Sequence, residues 1–256
     1  MTALLLGIIQ GATEFLPVSS SAHLVIARNL LQLPSTGLQL EITLHLGTLV
    51  SVLVYFRHDL LRWLGGFYLR SAAGAEARRE MGQIALATVP AVVVALALGG
   101  KIVAAFDAVA FTGVMLLVTT AVLASTRWAA GTEHRELSSA SALIIGMLQA
   151  LAILPGISRS GITIAAGLWL GLGGRRAARF SFLMSIPAIL GAGVYRLLDL
   201  AGTPPQNVPQ LWLGFLASAA VGYGMIAWMM RLLQRKQLHL FSGYTFLAGI
   251  VVIFWL

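Results

Sequence analysis

Two stretches of this chain put acid, amide, hydroxyl, imidazole and guanidinium groups at short spacings inside otherwise apolar sequence. Residues 7–31 read GIIQGATEFLPVSSSAHLVIARNLL, and residues 146–170 read GMLQALAILPGISRSGITIAAGLWL. Gln10 and Glu14 are four apart, so they share one helical face. Pro17 then interrupts the helix. Ser19, Ser20 and Ser21 offer hydroxyls to cap a half-helix that starts near Ala22, with His23 in its first turn. In the second stretch Pro155 and Gly156 stop one half-helix, Ser158 or Ser160 caps the next, and Thr163 lies in its first turn. Two such N-termini meeting near mid-membrane present free backbone N–H groups and positive dipole ends. Arg159 adds a planar fork able to take a phosphate through two hydrogen bonds. The combination suits an anion with several oxygens. Each group also has a plainer use: Ser19 and Ser21 as structural caps, Arg159 as a partner that ties Glu14's stretch to its own. Glu41 and His45, again four apart, either line the same cavity or form a structural pair.

The elements that must position these groups follow from composition. Of 256 residues, 58% are hydrophobic and only 10% charged, against about 25% charged in a soluble domain. Mean hydropathy is +0.88. The chain is expected to be an all-α polytopic membrane protein in one integral domain over 1–256. At ~20 apolar residues per crossing, it has room for roughly six to eight passes. Five stretches read as full spans, about 81–99, 107–124, 180–198, 210–230 and 238–256, and a sixth, about 39–56, carries Glu41 and His45. The remaining two, about 4–31 and 139–172, are apolar but broken near the middle, the pattern of re-entrant segments whose breaks must be buried or line a wet cavity. The absence of cysteine excludes disulfide scaffolds and Cys-ligated metals. Net charge +8 reads as arginine-rich cytoplasmic loops rather than nucleic-acid binding. No cleavable leader is expected, and Trp63, Trp128, Trp212 and Trp255 read as interface belt residues.

The two broken stretches resemble each other. Gly7 and Gln10 match Gly146 and Gln149, and Val18-Ser19-x-Ser21 matches Ile157-Ser158-x-Ser160 at the same offset, with the prolines one residue out of step. The 39–56 span has its counterpart in 178–198. The expectation is an inverted repeat, one half about 1–124 and the other about 139–256, with the binding site between the paired breaks. Charge tests this. With six crossings and two re-entrant segments, one face receives thirteen basic residues, Arg57, Arg62, Arg135, Arg179 and Lys236 among them, and the other only Arg28, Lys101 and Arg196. Arg159 stays inside the second break. The rich face is cytoplasmic by the positive-inside rule, both termini lie outside, and the two breaks enter from opposite sides. Small-residue runs such as Gly191-x-Gly193 and Gly222-x-Gly224 would serve close packing within one subunit or in a homodimer.

Gln10-x-x-x-Glu14 followed by Phe15-Leu16-Pro17-Val18-Ser19-Ser20 and His23, together with Pro155-Gly156-x-Ser158-Arg159-Ser160-x-x-Thr163, resembles the undecaprenyl-diphosphatase family of bacteria, the bacitracin-resistance type. The likeness spans essentially the whole chain, including Leu44-His45-Leu46-Gly47-Thr48 and Phe180-Ser181-Phe182-Leu183. It implies hydrolysis of undecaprenyl diphosphate to undecaprenyl phosphate and inorganic phosphate in a bacterial inner membrane, with the polyprenyl diphosphate lipid as partner. It implies Glu14, Ser20, His23, Ser158, Arg159 and Thr163 as the functional set. The family pattern accepts Glu or Gln first; this chain has Gln10, so a second carboxylate is missing. A divalent cation, Mg²⁺ or Ca²⁺, bridging Glu14 and the diphosphate is suggested by the resemblance. On that reading Arg159, Thr163 and the N–H groups around Ser158 to Ser160 hold the diphosphate, with Gln10 and Ser19 at its border. Ser20 or His23 attacks phosphorus or activates water, and Glu14 orients or deprotonates its partner. The rival class is a secondary transporter or polyprenyl-phosphate flippase, which uses the same inverted-repeat architecture. A purely structural scaffold gives no reason to bury Glu14 and Arg159 beside broken helices.

Overall fold

The computed structural model describes residues 1–32, 38–68, 70–129, 136–199, 207–235 and 237–256. Of the charges counted above, Arg135 and Lys236 lie outside the described residues, as do the side chains of Lys101 and Arg235. The described residues form eleven α-helices and no strand: α1 (Thr2–Glu14), α2 (Ser20–Leu30), α3 (Leu38–Tyr55), α4 (Arg57–Tyr68), α5 (Ala72–Asp107), α6 (Val109–Ser125), α7 (Ser139–Leu151), α8 (Arg159–Trp169), α9 (Gly174–Asp199), α10 (Val208–Leu232) and α11 (Phe241–Trp255). This is the all-α polytopic membrane architecture expected from composition. Five helices are long and apolar enough to cross a bilayer, namely α5, α6, α9, α10 and α11; α3 and α4 together make a sixth apolar stretch, bent by 71°. Their outward faces carry Val89, Val93, Val118, Leu213, Leu216, Phe246 and Leu247 exposed, as lipid contact requires.

The broken stretches resolve into helix pairs of matching length. α1 and α7 have 13 residues each, α2 and α8 have 11 each. At 1.5 Å rise per residue none reaches more than about 20 Å, short of the ~30 Å hydrocarbon core, so no half-helix crosses alone. Packing is exchanged between the two halves of the chain. α1 lies against α10 while α7 lies against α5, and α3 meets α10 while α9 meets α5. Small residues make these contacts close: a Cβ at Gly146 would come 2.3 Å from the Ala87 carbonyl oxygen. Gly222 likewise faces Ser51 and Phe15, but a Cβ at Gly191, Gly193 or Gly224 would meet no atom within 4 Å among the described residues.

One end of the bundle is held by charge. Arg179 on α9 donates through Nε and Nη2 to Asp59 Oδ1 at 3.1 and 2.6 Å and also reaches Glu80 of α5. Arg62 on α4 bonds the same Glu80, whose Oε2 also accepts from Trp63 Nε1 at 2.9 Å. Trp63 is thus a network donor rather than a simple belt residue. Replacing Glu80 by Ala strips Arg179, Arg62 and Trp63 of a shared acceptor. The network is partly exposed, so the loss should fall between the ~0–1 kcal/mol of a surface pair and the ~3–5 kcal/mol of a broken buried one. A lowered Tm is expected for Glu80→Ala in detergent, against an unchanged Tm for Glu136→Ala, whose partner Arg79 is exposed.

Candidate active site

The two breaks are built by different local means. α1 ends at Glu14, and the chain turns through Phe15–Val18 to Ser19, whose φ of +69° lies in the left-handed region. A non-glycine residue there is uncommon and costs ~1–3 kcal/mol, the kind of strain that gathers at functional loops. Ser19 nevertheless caps α2, its Oγ accepting from Ala22 N at 3.4 Å. In the second break the left-handed position is taken by Gly156, φ +98°, where any Cβ would come 2.3 Å from the Thr112 carbonyl. Of the two cap candidates there, Ser158 is the one used: its Oγ accepts from Gly161 N at 3.1 Å. α6 fastens this turn. Thr119 Oγ1 donates to the Gly156 carbonyl at 2.9 Å and accepts from Ser158 N at 3.0 Å.

The breaks meet. Arg159 Nη2 donates to Glu14 Oε1 at 2.6 Å, with both side chains largely buried. Glu14 Oε2 accepts from Ser20 Oγ at 2.6 Å and from Gln10 Nε2 at 3.0 Å. Ser160 Oγ donates to the Leu16 carbonyl at 2.8 Å, and Gly156 N to Ser21 Oγ at 3.5 Å. Beside this junction lies a cavity of about 440 Å³, and Glu14, Ser19, Ser20, Ser158 and Arg159 all line it. Its remaining wall is largely apolar, from Ala91, Val92 and Leu96 of α5 and Ala188, Ile189 and Ala192 of α9.

Four of the expected residues stand outside that lining. Gln10 is fully buried behind Glu14. Ser160 is spent on Leu16, and Thr163 donates to the Arg159 carbonyl at 2.7 Å while its hydroxyl pairs with Ser181 Oγ of α9 at 2.6 Å. His23 turns toward α11. Its Nδ1 lies 2.8 Å from the Ser19 carbonyl and must carry the proton there, so Nε2 accepts from Tyr244 Oη at 2.6 Å, with the rings stacked. Both ring nitrogens are occupied and neither faces the cavity. The imidazole that does face it is His45. Its Nδ1 lies 2.8 Å from the Glu41 carbonyl, and its Nε2 lies 3.9 Å from Glu14 Oε2. Arg28, Glu41 and Arg196 also line the cavity, Arg28 and Glu41 within 3.8 Å of each other. Thr119 was not legible as a site residue, because nothing in its own helix marks it out; Ser181 lay in the Phe180-Ser181-Phe182-Leu183 run that carries the family likeness but was not singled out within it.

The donor set bears on a metal. A divalent cation of this kind wants six or more oxygens. Among the described residues no three His, Asp or Glu side chains cluster, and Glu14, the carboxylate at the breaks, already holds Arg159, Ser20 and Gln10. These residues do not fit a resident metal, and no chemistry is assigned to one below.

Residues 3–251 match the family model of the bacitracin resistance protein BacA. The chain belongs to that family. Its relatives include proteins named undecaprenyl-diphosphatase from Alcanivorax borkumensis, 41% identical over 99% of this chain and 98% of the relative. Others of that name come from Methanosphaera stadtmanae, at 39% over 99% and 96%, and Desulfosudis oleivorans, at 42% over 95% and 94%.

Thr119 tests how far that junction depends on its support. Thr119→Val keeps the shape and leaves the Gly156 carbonyl and the Ser158 N–H unpaired, at about 1–3 kcal/mol for each buried group. Tm should fall accordingly and phosphate release should drop with it, since Ser158 and Arg159 start the supported helix.

Proposed function

We propose that this membrane protein hydrolyses undecaprenyl diphosphate to undecaprenyl phosphate and inorganic phosphate, returning the lipid carrier for envelope synthesis. The observation that carries this is the hydrogen-bonded set Ser20–Glu14–Arg159 on the wall of a cavity whose α5 and α9 side is largely apolar. A hydroxyl, a carboxylate and a guanidinium in contact are what phosphoryl transfer needs: a nucleophile, a proton acceptor and a positive fork for the oxygens. The apolar wall between α5 and α9 suits a prenyl chain entering from lipid.

In the mechanism we infer, Arg159 and the start of α8 bind the diphosphate, and Ser20 Oγ attacks the terminal phosphorus as Glu14 takes its proton. The bridging P–O bond breaks and undecaprenyl phosphate leaves. Water then cleaves the phosphoserine, Glu14 returning the proton to Oγ, and inorganic phosphate departs. Ser20 is preferred to His23 because it lines the cavity and already donates to Glu14, while both nitrogens of His23 are engaged elsewhere. Thr163 and Gln10 act from behind, Thr163 by holding the Arg159 backbone and Gln10 by holding the carboxylate.

Two further readings belong with this one. The chain is a duplicated unit in inverted orientation, supported by the equal lengths of the broken helices and the exchanged packing of α1 with α10 and α7 with α5. The cavity opens to the periplasmic side of an inner membrane, supported by its lining residues Arg28 and Arg196, which the charge count assigns to the arginine-poor face.

Phosphate release from a polyprenyl diphosphate by the purified protein in detergent, where no gradient exists, separates hydrolysis from lipid transport. Glu14→Gln keeps the shape and removes the charge, and a loss of at least ~100-fold is expected, the low end of an acid–base contribution. Arg159→Lys keeps charge without the fork and should also lose most activity with the fold intact. Near-normal turnover of both, across a Mg²⁺ and Ca²⁺ titration, would sink the assignment. In a single-turnover trap, phosphate should be found on Ser20; solvent ¹⁸O in the phosphate with no covalent adduct would mean direct attack by water.

Orientation has its own test. A cysteine replacing Ser21, in a chain with no native thiol, should react with a membrane-impermeant reagent added on the periplasmic side. Labelling from the cytoplasmic side alone would reverse the topology.

A further inference from the structure

Gln149, two residues before the end of α7, is an amide without a partner. Its side chain is 2% exposed, and among the described residues neither Nε2 nor Oε1 has a hydrogen-bond partner. Buried polar groups are rarely left unpaired, and each instance calls for a ligand, a water or a functional reason. Gln149 belongs to the wall of the same cavity as Glu14, Ser158 and Arg159, with both polar atoms just behind its surface, so a turn of the side chain brings the amide to a partner there.

What that partner is follows from the matching residue of α1. Gln10 donates Nε2–H to the carboxylate of Glu14, four residues on and one helical turn away. Four residues after Gln149 the chain has Ile153. α7 thus carries the amide donor of α1 without the anionic oxygen that donor holds. Arg159, across the cavity, supplies positive charge for an anion arriving from outside. We propose that Gln149 is a ligand for the substrate's diphosphate, its Nε2–H donating to a non-bridging phosphate oxygen where α1 offers Gln10 a carboxylate. Oε1 is left to accept from water or from the P–OH of a monoprotonated phosphate. This rests on the reading of the cavity as the diphosphate site and adds to it a residue on the wall provided by α7.

The test uses the full chain purified in detergent, with steady-state phosphate release from a polyprenyl diphosphate and inorganic diphosphate as a competing anion. Gln149→Met keeps the side chain's length and removes both polar atoms. Loss of a hydrogen bond to a charged group lowers kcat/KM by about 10-fold or more. The change should sit mainly in KM, with a matching rise in the inhibition constant for inorganic diphosphate. Tm should hold or increase, because an unpaired buried amide has been removed. Gln149→Glu keeps the shape but faces the phosphate with a like charge, and its loss should be larger. Gln149→Asn, which withdraws the amide by one methylene, gives the same comparison if the Met variant does not fold. Unchanged KM and inhibition constant in Gln149→Met, with Arg159→Lys still impaired, overturn this inference and leave the cavity reading standing. Normal kinetics in both variants overturn the two together. A lowered Tm with KM unchanged makes Gln149 a packing residue and also overturns it.

Discussion

The ion pair between Glu14 and Arg159 joins the last residue of α1 to the first residue of α8, 145 positions apart in sequence. Neither charge is tolerable alone at that depth. A buried ion pair repays its desolvation only with good geometry and with its remaining hydrogen-bonding capacity filled. Here Ser20 and Gln10 fill Oε2, and Arg159 also approaches the Ser181 carbonyl at 3.4 Å. The two breaks therefore constrain each other. Moving either by an ångström would strand a charge in a low-dielectric wall, and so the loop around Ser19 is held at a φ that the local sequence alone would not choose.

The same pair explains why the cavity is suited to exchange rather than to permanent structure. Arg159 and Glu14 neutralise one another across its wall while no anion is bound. An incoming diphosphate carries more negative charge than one carboxylate and competes for the guanidinium. On the mechanism proposed above, each share of Arg159 taken by phosphate frees Glu14 Oε1, and the oxygen bonded to Ser20 stays where the hydroxyl proton would go. The substrate's charge thereby prepares its own acceptor. A carboxylate held by cations on every side would bind the pair more firmly and lose that competition.

Much of this was legible in the chain. Pro17, Pro155 and the hydroxyl clusters after them marked both breaks, because proline ends a helix and serine caps the next one by purely local chemistry. The crossings were legible because length and hydropathy are summed over some twenty residues. What depends on partners distant in sequence was not. The first-turn position of His23 says nothing of Tyr244, 221 residues on, which takes its Nε2. Glu41 and His45 at helical spacing left two readings open, and only the packing of α3 beside α1 turned the imidazole toward Glu14. Trp63 had the composition of a belt residue, and its acceptor Glu80 sits on another helix. Thr119 looks like any threonine of an apolar span, yet it holds both the carbonyl and the N–H of the second turn.

The division of labour between the two broken pairs is the last consequence. α1 and α2 contribute the carboxylate and the hydroxyl in contact with it; α7 and α8 contribute the guanidinium and a wall with no acid. Had both pairs carried a carboxylate at the Glu14 position, a further negative charge would join Glu14 and Glu41 on the cavity wall and weaken its hold on an anion. Isoleucine at 153 instead of an acid avoids that further charge. On the proposed mechanism it also leaves proton acceptance to the first pair and phosphate recognition to the second, the two meeting at the Glu14–Arg159 contact. A phosphoryl group lying between them has its attacking oxygen on the first side and its charged oxygens on the second. Likeness in fold between the two broken pairs, combined with unlikeness at a few polar positions, is what turns a packing arrangement into a site with a direction.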